Sequence, residues 1–380
     1  MSQPWLAFFR HITEVVRNPV LNLLITIYTN IYIFIVYVDK SLIEICKTKP
    51  TIINQDLVPG VIMEKVSVVI CTHSNNRYQD AIDSINSVLN QTYKETEIIV
   101  VVDRNTPLFE RIESEFRGHK VIKTFHNLLD SGLSAARNKA IIHSTGDILA
   151  FLDDDAIADE KWLEHLLLAY RKKDVIGCGG PIRPLWISGM ADWIPEELYW
   201  TMGCTYKGFD NRLRPVRSNF GSNMSFRRKA FDIHNFNINY GINNNRGVGE
   251  EIEFSLRILR ENPDSKIMHI PGALVYHKIF DFRKSVSHLF DRCFQYGENF
   301  GQFSKELKNL PEWVNRDDNE MKKYLIFKAI PSRIMGLFNF KDANHHVVKD
   351  LSRLTILLLS SYVIILGIFS SLFIVGKARR

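Results

Sequence analysis

Glycine-rich phosphate loops, paired cysteines and a large charge excess are all missing from this chain, and each absence removes a class of function. The 380 residues contain five cysteines, Cys46, Cys71, Cys178, Cys204 and Cys293, none in C-x-x-C spacing. That argues against a disulfide framework and a cysteine zinc site, and suits a reducing compartment. A net charge of +6 is too small for a protein that coats nucleic acid, so no nucleic-acid partner is expected. The first loop after a strand-like run, "THSNNR", has no glycine, which excludes both the dinucleotide fingerprint and the P-loop. The glycine-rich opening of a sugar nucleotidylyltransferase is missing as well. If phosphate is bound here, a metal rather than a cradle of backbone amides must hold it. No internal repeat and no low-complexity linker interrupts the chain.

Long apolar runs are present, and they sit near the two ends. Residues 354 to 375, "LTILLLSSYVIILGIFSSLFIV", carry no charge. At about 1.5 Å per residue this gives roughly 33 Å of helix, enough for a hydrocarbon core of about 30 Å. A second run at 20 to 38, "VLNLLITIYTNIYIFIVYV", is broken by Asn22, Thr26, Thr29 and Asn30, and either spans or lies in the interface. No small-residue cleavage site follows it closely, so a cleaved signal peptide is not expected. Basic stretches in the last third, "KSVSHLFDR", "KKYLIFKAIPSRIMGLFNFK" and "KARR", favour an anionic membrane surface nearby.

Between these ends, strand-like and helix-like segments alternate. "VSVVIC", "EIIVVVD", "KVIKTF" and "DILAFLD" are short apolar runs of the kind that form strands buried on both faces. "RYQDAIDSINSVLNQ", "LFERIESEFRG", "LSAARNKAIIHS" and "EKWLEHLLLAYRK" lie between or after them, and the first has apolar residues at helical spacing. The alternation predicts a Rossmann-like, mostly parallel α/β sheet with helices on both faces. Ligands bind such sheets outside the carboxyl ends of the strands. Thr72, Asp103 and the run Asp153 to Asp155 all fall at that edge.

Three consecutive aspartates at a strand end repel one another unless something positive sits among them. A solvated acidic turn is the plain reading. A calcium loop does not fit, because "DDDAIADEKWLE" lacks the glycine at its sixth place and the further oxygen ligands. The remaining reading is Asp-x-Asp facing a crevice, two hard oxygen ligands for Mg²⁺ or Mn²⁺ bound together with a diphosphate.

"VSVVICTHSNNRYQDAIDSINSVLNQTYKETEIIVVVD", then "GLSAARNKAI", "GDILAFLDDDAIADEKWLEHL", "FGSNMSFRRKAF" and "RGVGEEIEFSLRI" stand in this order over roughly residues 64 to 300. As an ordered set they resemble the inverting family two glycosyltransferases of A-type fold. Within that family the sequence is similar to archaeal enzymes that glycosylate dolichyl phosphate sugars, such as the glucosyl-dolichyl phosphate glucuronosyltransferases. The resemblance implies that Thr72 and Asp103 contact the nucleoside, Asp103 accepting from a uracil ring nitrogen. Here Arg104 departs from the family's usual second aspartate. It further implies that Arg137 and Asn138 approach the diphosphate or ribose. Asp155 aligns with the main metal ligand, Asp153 with its partner and Asp154 with the sugar-nucleotide side. For Arg137, a surface residue paired with a carboxylate is the alternative.

An inverting transfer needs a general base for the acceptor hydroxyl. The family's Gly-Glu-Asp register puts it at Glu251, with Glu250 the second candidate. Both also fit as acidic residues opening a helix, and Glu253 is spaced to pair with Arg257. His277 matches a position that approaches the metal or diphosphate, with Arg283 beyond it, although a lone histidine after a strand is often structural. Asn223 is expected to line the sugar and acceptor cleft. Trp162 and Trp193 suit either sugar stacking or packing.

Taken together, these readings predict an N-terminal membrane-associated extension (1–62) and a catalytic domain (63–300) with a nucleotide half (63–180) and an acceptor half (181–300). A basic amphipathic segment (301–350) and a transmembrane segment with a basic tail (351–380) follow. The expected activity moves a sugar from a nucleotide diphosphate sugar, UDP-linked, to a polyprenyl- or dolichyl-phosphate-linked glycan at the cytoplasmic face of the cell membrane, with Mg²⁺ or Mn²⁺. The rivals are a polysaccharide synthase, which lacks its Q-x-x-R-W motif here, and a non-catalytic scaffold that binds nucleotide sugar. A single C-terminal span would carry "KARR" outside, against the positive-inside tendency, unless the segment turns back near Gly367.

Overall fold

The computed structural model describes residues 64–129, 132–232, 234–240, 249–303, 310–315, 320–321, 323–336 and 345–377, with Thr26 before them. The extension 1–62, its apolar run at 20 to 38 and the last three residues of the basic tail otherwise lie outside the described residues.

Four strands form as expected from their apolar runs: β1 (Val66–Thr72), β2 (Thr96–Asp103), β3 (Ile122–Asn127) and β4 (Ile148–Asp153). They pair in parallel in the order β3-β2-β1-β4. Helices alternate with them: α1 (Tyr78–Leu89), α2 (Thr106–Glu115), α3 (Leu133–His143) and, after β4, α4 (Trp162–Tyr170). Because side chains alternate along a strand, Val66, Val68 and Ile70 pack with α1, α2 and α4, whereas Val69 packs with α3 and a later helix, α5 (Glu250–Glu261). Both faces are thereby covered.

The sheet continues beyond the four strands. β6 (Val175–Gly179), β8 (Arg214–Pro215), β9 (Met224–Arg227) and β10 (Lys266–His269) extend it to eight strands, and it crosses the expected boundary at residue 180 without interruption. β9 inserts antiparallel between β4 and β6. A second sheet joins β5 (Ala156–Ala158), β11 (Val275–Ile279) and β7 (Ile182–Trp186). The chain leaves β4, turns through Asp154 and Asp155, and enters β5, whose Ala156 is registered against His277 of β11. This junction between the two sheets is where the acidic run sits.

At the opposite edge, Glu97 at the start of β2 is buried and accepts from Ser67 Oγ (2.7 Å), Thr145 N (2.6 Å), Thr145 Oγ1 (2.8 Å) and Lys123 Nζ (2.8 Å). Burial pushes its pKa up, but these bonds win and hold it at about 2. A depressed carboxylate stabilises the fold above its unfolded pKa and loses that contribution as pH falls toward the folded value. Glu97→Gln should therefore cost about 2 kcal/mol at pH 7 in thermal melts. The gap to wild type should shrink as pH falls from 4.5 toward 2.

Toward the C-terminus, α6 (Val286–Phe303), α7 (Ile330–Gly336) and α8 (His345–Lys377) follow. Arg333 of α7 donates to both oxygens of buried Glu197 (3.0 and 2.8 Å), tying the basic segment to the body. Within α8, Leu351–Ser371 is the one stretch among the described residues long and apolar enough to cross a membrane. The helix is continuous through Gly367, so no turn-back occurs there. Its inner face packs on α6 at backbone contact. A Cβ on Gly297 would lie 2.1 Å from the Ile364 carbonyl, and one on Gly367 would lie 2.2 Å from the Phe294 carbonyl. Leu359, Tyr362, Leu366 and Phe369 along the same helix are exposed.

Candidate active site

Asp155 occupies the turn after β4 and is 3% exposed. Its Oδ1 meets His277 Nε2 at 3.0 Å, and its Oδ2 accepts from Arg77 (2.6 Å) and Arg283 (3.1 Å). Burial alone would raise its pKa; the charges of His277, Arg283 and Arg77 outweigh that and hold the carboxyl well below its usual range. Three cationic groups from distant parts of the chain thus share one carboxylate.

His277 is oriented from behind. Its Nδ1–H donates to the Met202 carbonyl (3.0 Å), which leaves Nε2 facing Asp155. Burial disfavours the imidazolium, but the adjacent carboxylate pushes its pKa up to about 10. In that form a proton holds the Nε2 position that a metal would otherwise take. One ligand atom each from Asp153, Asp155 and His277 lie within 4.8 Å of one another. Two hard oxygens and an imidazole whose far nitrogen is anchored form a donor set that fits a divalent cation such as Mn²⁺ or Mg²⁺.

Asp154 lies between the two aspartates but faces elsewhere. Burial, with the neighbouring Asp155 charge, pushes its pKa up to about 7. Its carboxyl faces the Thr72 hydroxyl, whose pull lowers the pKa against burial, but neither its Oδ2 nor that buried hydroxyl completes a hydrogen bond of good geometry among the described residues. Unpaired buried polar atoms at the end of β1, beside the point where strand order reverses, mark a place for a polar ligand. Asp103 at the end of β2 accepts from Asn127 Nδ2 (2.7 Å) and from the Gly132 amide (3.0 Å), and each oxygen keeps a lone pair. The departing residue Arg104 is the one described non-glycine residue with positive φ, 51°.

Arg137 is buried rather than exposed, and it joins two parts of the site. It donates to Glu250 Oε1 (2.8 Å), to Asp153 Oδ1 (3.4 Å) and to the Gly221 carbonyl (3.3 Å). The N-terminus of α5 is therefore one guanidinium away from the metal-ligand set. Glu250 is held further by the Gly249 amide (3.2 Å). Glu251 receives no hydrogen bond from a side chain among the described residues. Burial, then the charge of Glu250, pushes its pKa up to about 8, against the lowering pull of Arg137 and Arg292. Replacing Arg137 by Met should strand Glu250 in the interior and cost roughly 3–5 kcal/mol in chemical denaturation, with Lys recovering part of it.

Other expected residues serve the framework. The Asn138 amide bonds the Phe236 backbone at both ends, through Nδ2 to the carbonyl (2.8 Å) and Oδ1 from the amide (2.9 Å). Asn223 is fully buried, donating to the Pro181 (3.2 Å) and Ala273 (2.8 Å) carbonyls and accepting from Trp162 Nε1 (2.9 Å). Both amides bond backbone and core groups of the framework. Trp162 is buried against Asn223, so it packs rather than stacks on a sugar. Arg77 was not singled out by the sequence; its only signal is a cation in the turn directly after β1.

Comparison with known proteins follows the same lines. Residues 67–233 match the model of the family described as glycosyl transferase family 2. The chain is 33% identical over 278 residues to the glucosyl-dolichyl phosphate glucuronosyltransferase of Haloferax volcanii, covering 72% of this chain and 87% of that one. It is 28% identical over 179 residues to the succinoglycan biosynthesis protein ExoM of Rhizobium meliloti, covering 46% of this chain and 54% of the relative. Among solved structures, the mannosyltransferase PcManGT from Pyrobaculum calidifontis, in complex with GDP-Man and Mn²⁺, superposes with a TM-score of 0.53. That match covers 91% of this chain and 98% of the other at 13% identity, so what it establishes is a common fold.

Proposed function

Because the chain belongs to the family 2 glycosyl transferases and has the A-type glycosyltransferase fold, we propose that it transfers a sugar with inversion from a nucleotide diphosphate sugar to a polyprenyl- or dolichyl-phosphate-linked acceptor. The observation that carries this reading is the single guanidinium, Arg137, linking the base-bearing turn of α5 to the metal-ligand set at Asp153. Donor and acceptor sites on either side of that bridge would be close enough for direct displacement.

In this reading Asp153, Asp155 and His277 hold the divalent cation. When bound, that cation supplies positive charge to neutralise the leaving diphosphate. Thr72 and Asp103 hold the nucleoside, and Asp154 contacts the sugar side. Arg77 and Arg283 sit where they can exchange their partner Asp155 for diphosphate oxygens. Glu251 removes the acceptor hydroxyl proton as that oxygen attacks the anomeric carbon, and the bond to the diphosphate breaks on the opposite face. A raised pKa suits the role, since a base near the working pH both ionises and accepts a proton readily. The two ordered carboxylates and the base argue against a non-catalytic scaffold.

The dolichyl acceptor is supported by the Haloferax relative, whose own name specifies glucosyl-dolichyl phosphate. The catalytic body faces the cytoplasm in this reading, where nucleotide sugars are made, and α8 anchors it to the membrane. The test incubates membranes holding the full chain with UDP- and GDP-sugars and polyprenyl phosphate acceptors, with Mn²⁺, Mg²⁺ or chelator. Metal-dependent formation of a lipid-linked product of inverted configuration is expected. Transfer unaffected by chelation, or nucleotide-sugar binding without turnover under every condition, would overturn the reading.

A further inference from the structure

Beside the metal-ligand set the surface turns apolar. β7 runs out into residues 187–190, and β11 runs out into the turn Asp281–Lys284 before α6 begins. These two exits are fastened together. The Ile187 amide donates to the Ile279 carbonyl (3.3 Å), and Ser188 bonds Asp281. Lys284 Nζ donates to Ser188 Oγ (2.7 Å) and the Gly189 carbonyl (3.1 Å) and pairs with Asp281 (2.6 Å). The result is one lip with a fixed shape. Its outward side chains are Leu185, Ile187, Met190, Phe282 and Val286, exposed by 38, 51, 57, 54 and 55%. Scattered apolar residues on a surface need no explanation, but five on one fastened lip do.

The lip connects the catalytic centre to the apolar helix. On one side, Arg77 stacks on Phe280 at 4.6 Å while holding Asp155, and Arg283 of the lip itself also reaches Asp155. On the other side Arg353, at the start of the apolar stretch Leu351–Ser371, donates twice to the Asp192 carbonyl (3.0 and 2.8 Å), just past Met190. Beyond that point the apolar surface resumes along the exposed face of α8 at Leu359, Tyr362, Leu366 and Phe369. Arg353 stands at the edge of the lip as a cation, whereas Lys284 is spent inside it on Asp281, Ser188 and Gly189.

We propose that this lip is a membrane-contacting surface that rests in the headgroup region of the bilayer, with Ile187, Met190, Phe282 and Val286 toward the acyl chains and Arg353 toward lipid phosphates. Continuity with the start of the apolar helix favours a bilayer over a protein partner, because anything anchored through α8 brings the lip to the interface. The lip then holds the Arg283 edge of the metal-ligand set at the level where a lipid-borne acceptor displays its polar head. That last consequence rests on the proposed lipid-linked acceptor, and the membrane contact rests on the proposed anchoring through α8 alone.

The test uses the full chain in lipid nanodiscs, with an environment-sensitive fluorescent amino acid at Met190 or, for reference, at Ile142. Ile142 is 75% exposed near the end of α3, away from the crevice. Quenching of the Met190 probe by a spin label placed just below the headgroup should exceed that of the Ile142 probe several-fold, with the order reversed for aqueous iodide. Equal behaviour of the two probes overturns the proposal. Protection from both quenchers at Met190 also overturns it, since a protein would then cover the lip. In a second arm, I187S/M190S should raise KM for a long-chain lipid acceptor about tenfold and leave KM for a short-chain, water-soluble acceptor unchanged; equal loss with both overturns the functional consequence. If neither acceptor receives sugar from the wild type, the proposed function fails while the quenching result still decides the lip.

Discussion

Asp155→Asn should lower the transfer rate by roughly 10³-fold and abolish measurable divalent-cation binding. The expectation follows from how many positive groups depend on this one carboxylate. Arg77, Arg283 and His277 all contact it, and it is almost wholly buried. Removing its charge leaves two part-buried guanidiniums facing one another without their counter-charge and lets His277 return to the neutral imidazole that burial favours, and a poorly compensated buried charge is costly. Stability should therefore fall along with activity, and the thermal midpoint of the variant should drop by several degrees. Asp153→Asn separates the two effects. Its side chain is 33% exposed and its contact with Arg137 is longer, at 3.4 Å, so metal affinity should fall with little change in stability. Asp154→Asn should cost least, because its carboxyl faces the Thr72 side and carries a pKa of about 7. Parallel Mn²⁺ titrations, transfer assays and melts of the three variants read out the order. If Asp154→Asn proves the most damaging, the assignment of the outer two carboxylates to the metal is wrong.

The sequence makes the first half of this architecture legible because its signals are local. Continuous β-branched runs such as "VSVVIC" leave no alternative to a buried strand, and the carboxyl-edge rule then places Thr72, Asp103 and the acidic run together. What lies beyond depends on long-range pairing. β9 is only Met224–Arg227, and nothing in four residues announces that they run antiparallel between β4 and β6. In the second sheet the sequence signals a strand before His277 but not its partners; His277 lies within β11, and the register of β11 against β5 is what carries it to Asp155. Amides illustrate the same limit. Asn138 and Asn223 can donate and accept in a ligand site or in the framework with identical chemistry, and only the positions of the Phe236, Pro181 and Ala273 backbones assign them to the framework. Arg77 shows the converse, a cation whose importance arises from a carboxylate 78 positions away.

Glu251→Gln should lower kcat by roughly 10³-fold, within the usual range for losing a general base, while leaving KM for the nucleotide sugar nearly unchanged. The variant should at the same time be more stable than wild type above about pH 5. The sign follows from linkage. Folding raises the Glu251 pKa from 4.5 to about 8, so between those values the folded state holds a proton that the unfolded state has released. Stability therefore declines as pH rises through that window, and glutamine, which does not ionise, escapes the decline. Glu250→Gln should behave in the opposite way. Its oxygens are bonded by Arg137 and the Gly249 amide, so loss of its charge leaves a buried guanidinium with only the longer contacts to Asp153 and the Gly221 carbonyl and lowers stability, with a smaller effect on kcat. Wild-type kcat should climb with pH up to about 8 and then level off, and in Glu251→Gln that limb should vanish. A gain in stability paired with a loss of turnover is the expected mark of a carboxylate kept in an unfavourable place for its chemistry. Should Glu250→Gln be the variant that loses the pH-dependent limb, the base is Glu250, and Glu251 is only the neighbour whose charge it must tolerate.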